Sequence, residues 1–247
     1  MAVNVNDAVV LSDVQRSRSF EHRFFITVAI LFPLAVIIGF GPTFYLKPFF
    51  NTPDLPSLLV KFHGIVMTSW LALFFIQAYL ISSKRIRVHM NLGLLSIALA
   101  IIVFFTGVFT GIAAAKRGAA PPGFDPITFM IIPIGDMVVF AILFTAAVIY
   151  RKKAADHKRL MLLTVLNFLP PALARFPFEA AGTPFFFYGV PDILAIGLLA
   201  LDTHRNGKLN KMFLAGTIVM IVGHWLRLVL MGTSGWLAVA NWLASVN

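Results

Sequence analysis

Four histidines stand where packing alone does not ask for an imidazole. His63 opens "HGIVMTSW" inside a long apolar run, His224 lies within "IVGHWLRLVLMG", and His89 and His157 head the phrases "HMNLGLL" and "HKRLMLL". Neutral imidazole is a ligand for transition metals and for haem iron. The chain has no cysteine, which excludes disulfides, thiolate-held iron–sulfur clusters, zinc–thiolate sites and thioether attachment of c-type haem. Any metal or haem must therefore be held by histidine, carboxylate or methionine. Asp136, in "IIPIGDMVVF", supplies a carboxylate. His63, His224 and Asp136 together have the composition of a three-ligand zinc site with an open water position, as in metal-dependent hydrolases.

The elements that position these groups are read from composition. Of the 247 residues, 59% are hydrophobic and 12% charged, and the apolar residues come in long runs rather than in alternation. A membrane helix needs about 20 mostly apolar residues. Seven runs qualify, at 24–41, 58–82, 92–115, 127–150, 160–178, 184–202 and 212–232. The fold class is an all-α polytopic membrane bundle of about seven helices: an amino-terminal segment 1–23, a membrane domain 24–232 and a short segment 233–247 suited to an outer-face interfacial helix through Trp236 and Trp242. The first twenty residues lack the basic-then-apolar order of a signal peptide, so the first run reads as a retained helix.

The net charge of +10 sits in alternate loops rather than over one face. Arg16, Arg18 and Arg23, then Lys84, Arg85 and Arg87, then Arg151, Lys152, Lys153, Lys158 and Arg159, then Arg205, Lys208 and Lys211 make fourteen basic residues on one side. The intervening loops hold three: Lys47, Lys116 and Arg117. The positive-inside rule then puts the amino terminus in the cytoplasm and the carboxyl terminus outside. The charge is orientation, and nucleic acid is not the expected partner.

Counting about 1.5 Å per residue from the outer helix ends puts His63 about 9 Å and His224 about 12 Å into the membrane. Lys61, Asp136, Arg175, Glu179, Asp192 and Arg227 fall in the same outer half. Some of these charges can neutralise one another. Arg175 and Glu179 are four apart, and Asp136 can take Lys61 or Arg227. Pro133, Pro170 and Pro171 remove backbone hydrogen bonds near this level, which predicts bends in the fourth and fifth helices and a cavity in the outer half. His89 and His157 lie instead at the basic, cytoplasmic boundary. A related phrase starts at His22 and, with lysine in place of histidine, at Lys208. A cation is disfavoured at a helix amino terminus, so neutral imidazoles with specific partners are expected there.

"HGIVM" resembles a helix motif of the transmembrane di-haem cytochrome b proteins of the b-561 type. "HMNLG" resembles another histidine motif of that group, and also the His-x-x-Leu-Gly signature of predicted bacterial membrane proteins of unknown function. The resemblance implies haem b held by two histidine pairs, His63 with His224 in the outer half and His89 with His157 in the inner half. It implies Lys61, Arg175 and Arg227 as partners for propionates or for an anionic or quinone head group. In this chain the four histidines fall on the second, third, fifth and seventh runs rather than on consecutive helices.

The function expected on this reading is b-type haem-binding electron transfer in a bacterial inner membrane, an oxidoreductase activity with a quinone or another redox protein as exchange partner. Two other classes fit the same residues. One is the zinc hydrolase on His63, His224 and Asp136. The other is a non-enzymatic membrane subunit or assembly factor whose buried polar groups fix helix packing. No Walker loop, dinucleotide fingerprint, nucleophile elbow or His-Glu-x-x-His motif occurs.

Overall fold

The computed structural model describes residues 31–246. The amino-terminal segment 1–23, with Arg16, Arg18, His22 and Arg23, and the start of the first apolar run lie outside the described residues. Helix α1 covers Leu31–Tyr45 and widens over Gly41–Tyr45 into a π-turn that contains Pro42. Helix α2, Leu58–Ser82, is capped by the Ser57 hydroxyl, which accepts from the Val60 N–H. A tight turn with Lys84 in the left-handed region leads to α3, Ile86–Lys116. Its 31 residues give a length of about 46 Å, more than the roughly 30 Å hydrocarbon core, so both ends reach the interfaces.

Helix α4, Ile131–Ile149, continues a short turn at Pro126–Phe129, and the interruption falls at Met130. Pro133 has no N–H to give the carbonyl four residues earlier, so the ladder breaks at the level predicted. Helix α5 is Ala154–Leu166. It ends well short of the continuous span expected at 160–178. Pro170 and Pro171 cannot donate to the last carbonyls, and the Leu166 carbonyl accepts from Leu169 instead (3.1 Å). One further helical turn, Pro170–Leu173, follows before the chain bends away. Helix α6 is Gly189–Asn206, ended by Gly207 at φ 64°, and α7 is Lys211–Leu230, capped by Asn210. Helix α8, Ser234–Ser245, is capped by Thr233.

The chain is thus an all-α polytopic bundle. Five helical segments among the described residues are long and apolar enough to cross a membrane: 58–82, 86–116, 126–152, 184–206 and 211–230. Their outer surfaces are apolar. Leu94, Ile193 and Val229 are each more than 70% exposed, the pattern of a lipid-facing surface. Inside, α4 packs against α3, α5 and α7, and Phe140, Leu143 and Ala147 are almost fully buried. Small residues permit the close approach. A methyl on Gly107 of α3 would strike the Met137 thioether, and one on Gly223 of α7 would strike Val139.

The loops fall into two groups. At one end His89 of α3 meets His157 of α5, and Asn210 donates to Asp156 (2.7 Å), so the turns carrying Lys84 and Arg85, Arg151 to Lys153, and Lys208 share that end. At the other end α8 folds back on the bundle. Ala240 packs on Ala115 and Met130, and the Trp236 indole donates to the Thr128 carbonyl (3.0 Å). Trp242 stays 64% exposed.

Candidate functional site

At the basic end, His89 occupies the first turn of α3 and His157 the first turn of α5. Their ring centroids are 6.5 Å apart and the planes are inclined by 72°. Each ring is anchored through Nδ1. His157 donates to the Ala147 carbonyl at the end of α4 (2.8 Å), which leaves its Nε2 with a free lone pair. His89 faces Gln77, a lone amide in the apolar run of α2. With the Gln77 oxygen accepting from the Gly93 N–H (3.0 Å), its nitrogen donates to His89 Nδ1 (2.6 Å) and to the His89 carbonyl (3.2 Å). His89 Nδ1 is therefore the acceptor and its proton sits on Nε2; turning the amide over would set its oxygen against the His89 carbonyl and its nitrogen against the Gly93 N–H. Both rings are partly exposed. Beside them, the Arg159 guanidinium grips Asp202 through Nε (2.9 Å) and Nη2, tying α5 to α6.

The second constellation is buried among α4, α6 and α7. Arg227 pairs with Asp136 and also donates to the Ile132 carbonyl (2.9 Å) and the Gly223 carbonyl (2.6 Å). Asn167, just past α5, donates to the Asp136 backbone carbonyl (3.0 Å). His224 is wholly buried and donates from Nδ1 to Asp192 in the first turn of α6 (2.7 Å). The Trp225 indole donates to the other Asp192 oxygen (2.8 Å). The Tyr188 ring stacks on His224 at 4.5 Å and lies 5.2 Å from the Arg227 guanidinium. The His224 Nε2, the Tyr188 hydroxyl, one Arg227 nitrogen and the Asn167 oxygen have no hydrogen-bond partner.

His63 is elsewhere. Its Nδ1 meets the Thr106 hydroxyl of α3 (3.2 Å), and that hydroxyl already donates to the Ile102 carbonyl (2.8 Å), so the imidazole is the donor. Gly64, the next residue, abuts the Phe44 ring from the π-turn of α1.

The sequence-predicted residues therefore divide. His89 and His157 come together, and Asp136 takes Arg227, one of its two expected partners. His63 and His224 have different partners, on α3 and α6 respectively. Among the described residues no three histidine or carboxylate side chains gather as a metal site, and Asp136 is committed to Arg227. Lys61 is exposed on the first turn of α2. Arg175 donates to the Pro171 carbonyl and lies 4.6 Å from the Phe40 ring rather than pairing with Glu179, because the chain is no longer helical there. Sequence reasoning missed Gln77, Thr106, Asn167, Tyr188 and Trp225. Gln77 and Asn167 carried a signal, as amides in apolar runs; Tyr188 and Trp225 did not, because aromatics are abundant in this chain.

Comparison of the chain with protein-family models, with curated proteins and with solved structures returns no match.

Proposed function

We propose that the protein is an integral membrane electron-transfer protein that binds b-type haem between His89 and His157. The observation that carries the proposal is the spacing of these two rings, 6.5 Å between centroids and inclined by 72°. Iron held between two imidazoles by bonds of about 2 Å, as other first-row metals are held by histidine, separates the centroids by roughly 6 Å. One of the two ring anchors fits as well. Histidine ligands commonly donate their other N–H to a carbonyl or carboxylate, and His157 does so to Ala147. His89 matches that state only when its proton moves from Nε2 to Nδ1, at the cost of the Gln77 contacts with the His89 carbonyl and the Gly93 N–H. Haem so held would supply one-electron chemistry; the chain supplies two imidazoles and a basic rim for propionates.

The same reading gives seven crossings, with α1 in the first and α5 with its proline-broken continuation as the fifth. Basic loops converging on one end support an amino terminus inside and a carboxyl terminus outside. An all-helical span supports a bacterial inner membrane, since outer membranes favour closed barrels. A quinone or a redox protein is the exchange partner in keeping with a site at the membrane edge. The zinc arrangement on His63, His224 and Asp136 has less support, because each already has another partner.

The test is a reduced-minus-oxidised spectrum of the purified protein, repeated for His89→Ala, His157→Ala and the double variant. Both single changes should remove the same low-spin b-type signal, and the double change should remove no more. A colourless wild type, or full haem in all three variants, would reduce the pair to a packing contact.

A further inference from the structure

Helices α3 and α4 touch closely at one end and not at the other. Where Gly107 and Gly111 of α3 meet Met137 and Pro133 of α4, a methyl group would already collide. Toward the basic end the contact opens into an apolar groove of about 320 Å³. Ala100, Phe140 and Phe144 form its buried floor, and Ile101, Phe105 and Ile149 its exposed walls. The small side chains of Ala100, Ala141 and Thr145 hold the space open among phenylalanines. On α3 the groove runs from Phe105 to Ile97, and on the antiparallel α4 from Phe140 to Ile149, about 12–13 Å along the helices.

The groove ends where α4 runs into the basic turn that carries Arg151, Lys152 and Lys153. Val148 lines the groove, and its carbonyl accepts from the Arg151 guanidinium (3.1 Å), which fixes that cation beside the opening. Lys153 is held 5.4 Å from the Tyr150 ring, one residue past Ile149. A straight apolar slot that starts in the hydrocarbon layer and ends at a basic turn, with Arg151 tied to a lining residue, has the chemistry of an anionic amphiphile. A zwitterionic lipid would bring its own cation to the same place.

We propose that the groove between α3 and α4 is a retained-lipid site for an anionic phospholipid, with one acyl chain along Phe140, Phe144 and Phe105 and the phosphate between Arg151 and Lys153. Basic pockets at helix ends select anionic head groups by about fivefold for each lysine or arginine. Two such residues distinguish the site from the general lipid surface. The site does not depend on haem, only on the bundle lying in a bilayer.

Native mass spectrometry of the full chain, released from vesicles of equal phosphatidylglycerol and phosphatidylcholine, tests the proposal. The wild type should retain one phosphatidylglycerol well above phosphatidylcholine. Arg151→Gln with Lys153→Gln should abolish the preference, and Ala141→Trp, which fills the slot from its lipid-facing side, should abolish retention of either lipid. Should the tryptophan variant fail to fold, the wild type alone decides: a photoreactive acyl chain on phosphatidylglycerol should crosslink to Phe105, Ala141 or Phe144. Equal retention of both lipids, crosslinks spread over other helices, or a lipid-free dimer that buries this face would each overturn the proposal.

Discussion

The imidazole of His224 gives its Nδ1 proton to Asp192 at 2.7 Å, and the indole of the next residue, Trp225, gives its own to the other carboxylate oxygen at 2.8 Å. Successive residues on a helix point about 100° apart, so Asp192 is gripped from two sides of one α7 turn and α6 is pinned to it. Asp192→Leu leaves the buried His224 donor and the half-buried Trp225 donor unpaired, and a loss of about 3 kcal/mol is expected. Asp192→Asn keeps one acceptor and should lose about half as much. Unfolding by denaturing detergent titrated into mild micelles measures both. Equal losses for the two variants would show that the carboxylate charge, not its acceptor oxygens, does the holding.

The Asp136–Arg227 pair predicts non-additivity. Removing one partner of a buried pair leaves an uncompensated charge and costs about 3–5 kcal/mol. Asp136→Leu and Arg227→Met should each be severe, whereas the double variant should return to within about 1–2 kcal/mol of the wild type. A double variant as unstable as the sum of the two single ones would mean that Arg227 is held chiefly by the Ile132 and Gly223 carbonyls.

Gln77 separates a haem site from a histidine packing contact. Loss of a hydrogen-bond partner to a metal-bound histidine lowers metal affinity by about 10–100-fold, so Gln77→Leu should lower haem affinity by at least tenfold. Gln77→Glu places a carboxylate on His89 Nδ1, raises the basicity of the ring and should move the midpoint potential to more negative values with haem retained. Titration of apoprotein with haem and a redox titration read the two effects. Unchanged affinity in Gln77→Leu would remove His89 from the ligand set.

Gly39 and Gly197 make a matched pair on two helices. A methyl on Gly39 would meet the backbone carbonyl of Ala172, which cannot yield, while a methyl on Gly197 meets nothing within 4 Å. Gly39→Ala should destabilise by about 1–3 kcal/mol. Gly197→Ala should be neutral or stabilise by up to about 1 kcal/mol, as glycine is a poor helix former. The same detergent unfolding assay compares them, and a neutral Gly39→Ala would deny the close crossing of α1 over the Pro170–Leu173 turn.

Orientation follows from the loop charges. A periplasm-dependent phosphatase fused after Asn247 should be active, and one fused between Arg151 and Lys158 silent. The reverse pattern would invert the two ends of the bundle and with them the side on which the histidine pair lies.

The run lengths of apolar residues and the alternation of basic loops were enough to read an all-α membrane bundle, because both follow from solvent preference along the chain and need no partner. Proline positions announced the breaks at Met130 and beyond Leu166 for the same local reason. His89 and His157 were placed at the same basic end by the sequence, but only the resemblance of "HMNLG" paired them, and it was the fold that brought their rings to 6.5 Å. Depth was a poor guide for His63 and His224. Two groups at one level can lie anywhere around the bundle, and which faces meet depends on helix order and rotation. Those were decided by contacts such as Gly107 on Met137, Gly223 on Val139 and α7 against α4. The same packing chose Arg227 over Lys61 for Asp136, 91 residues away, and gave His224 the carboxylate of Asp192, 32 residues away. A buried polar group must be satisfied by whatever its neighbours present, and only the assembled bundle determines who those neighbours are.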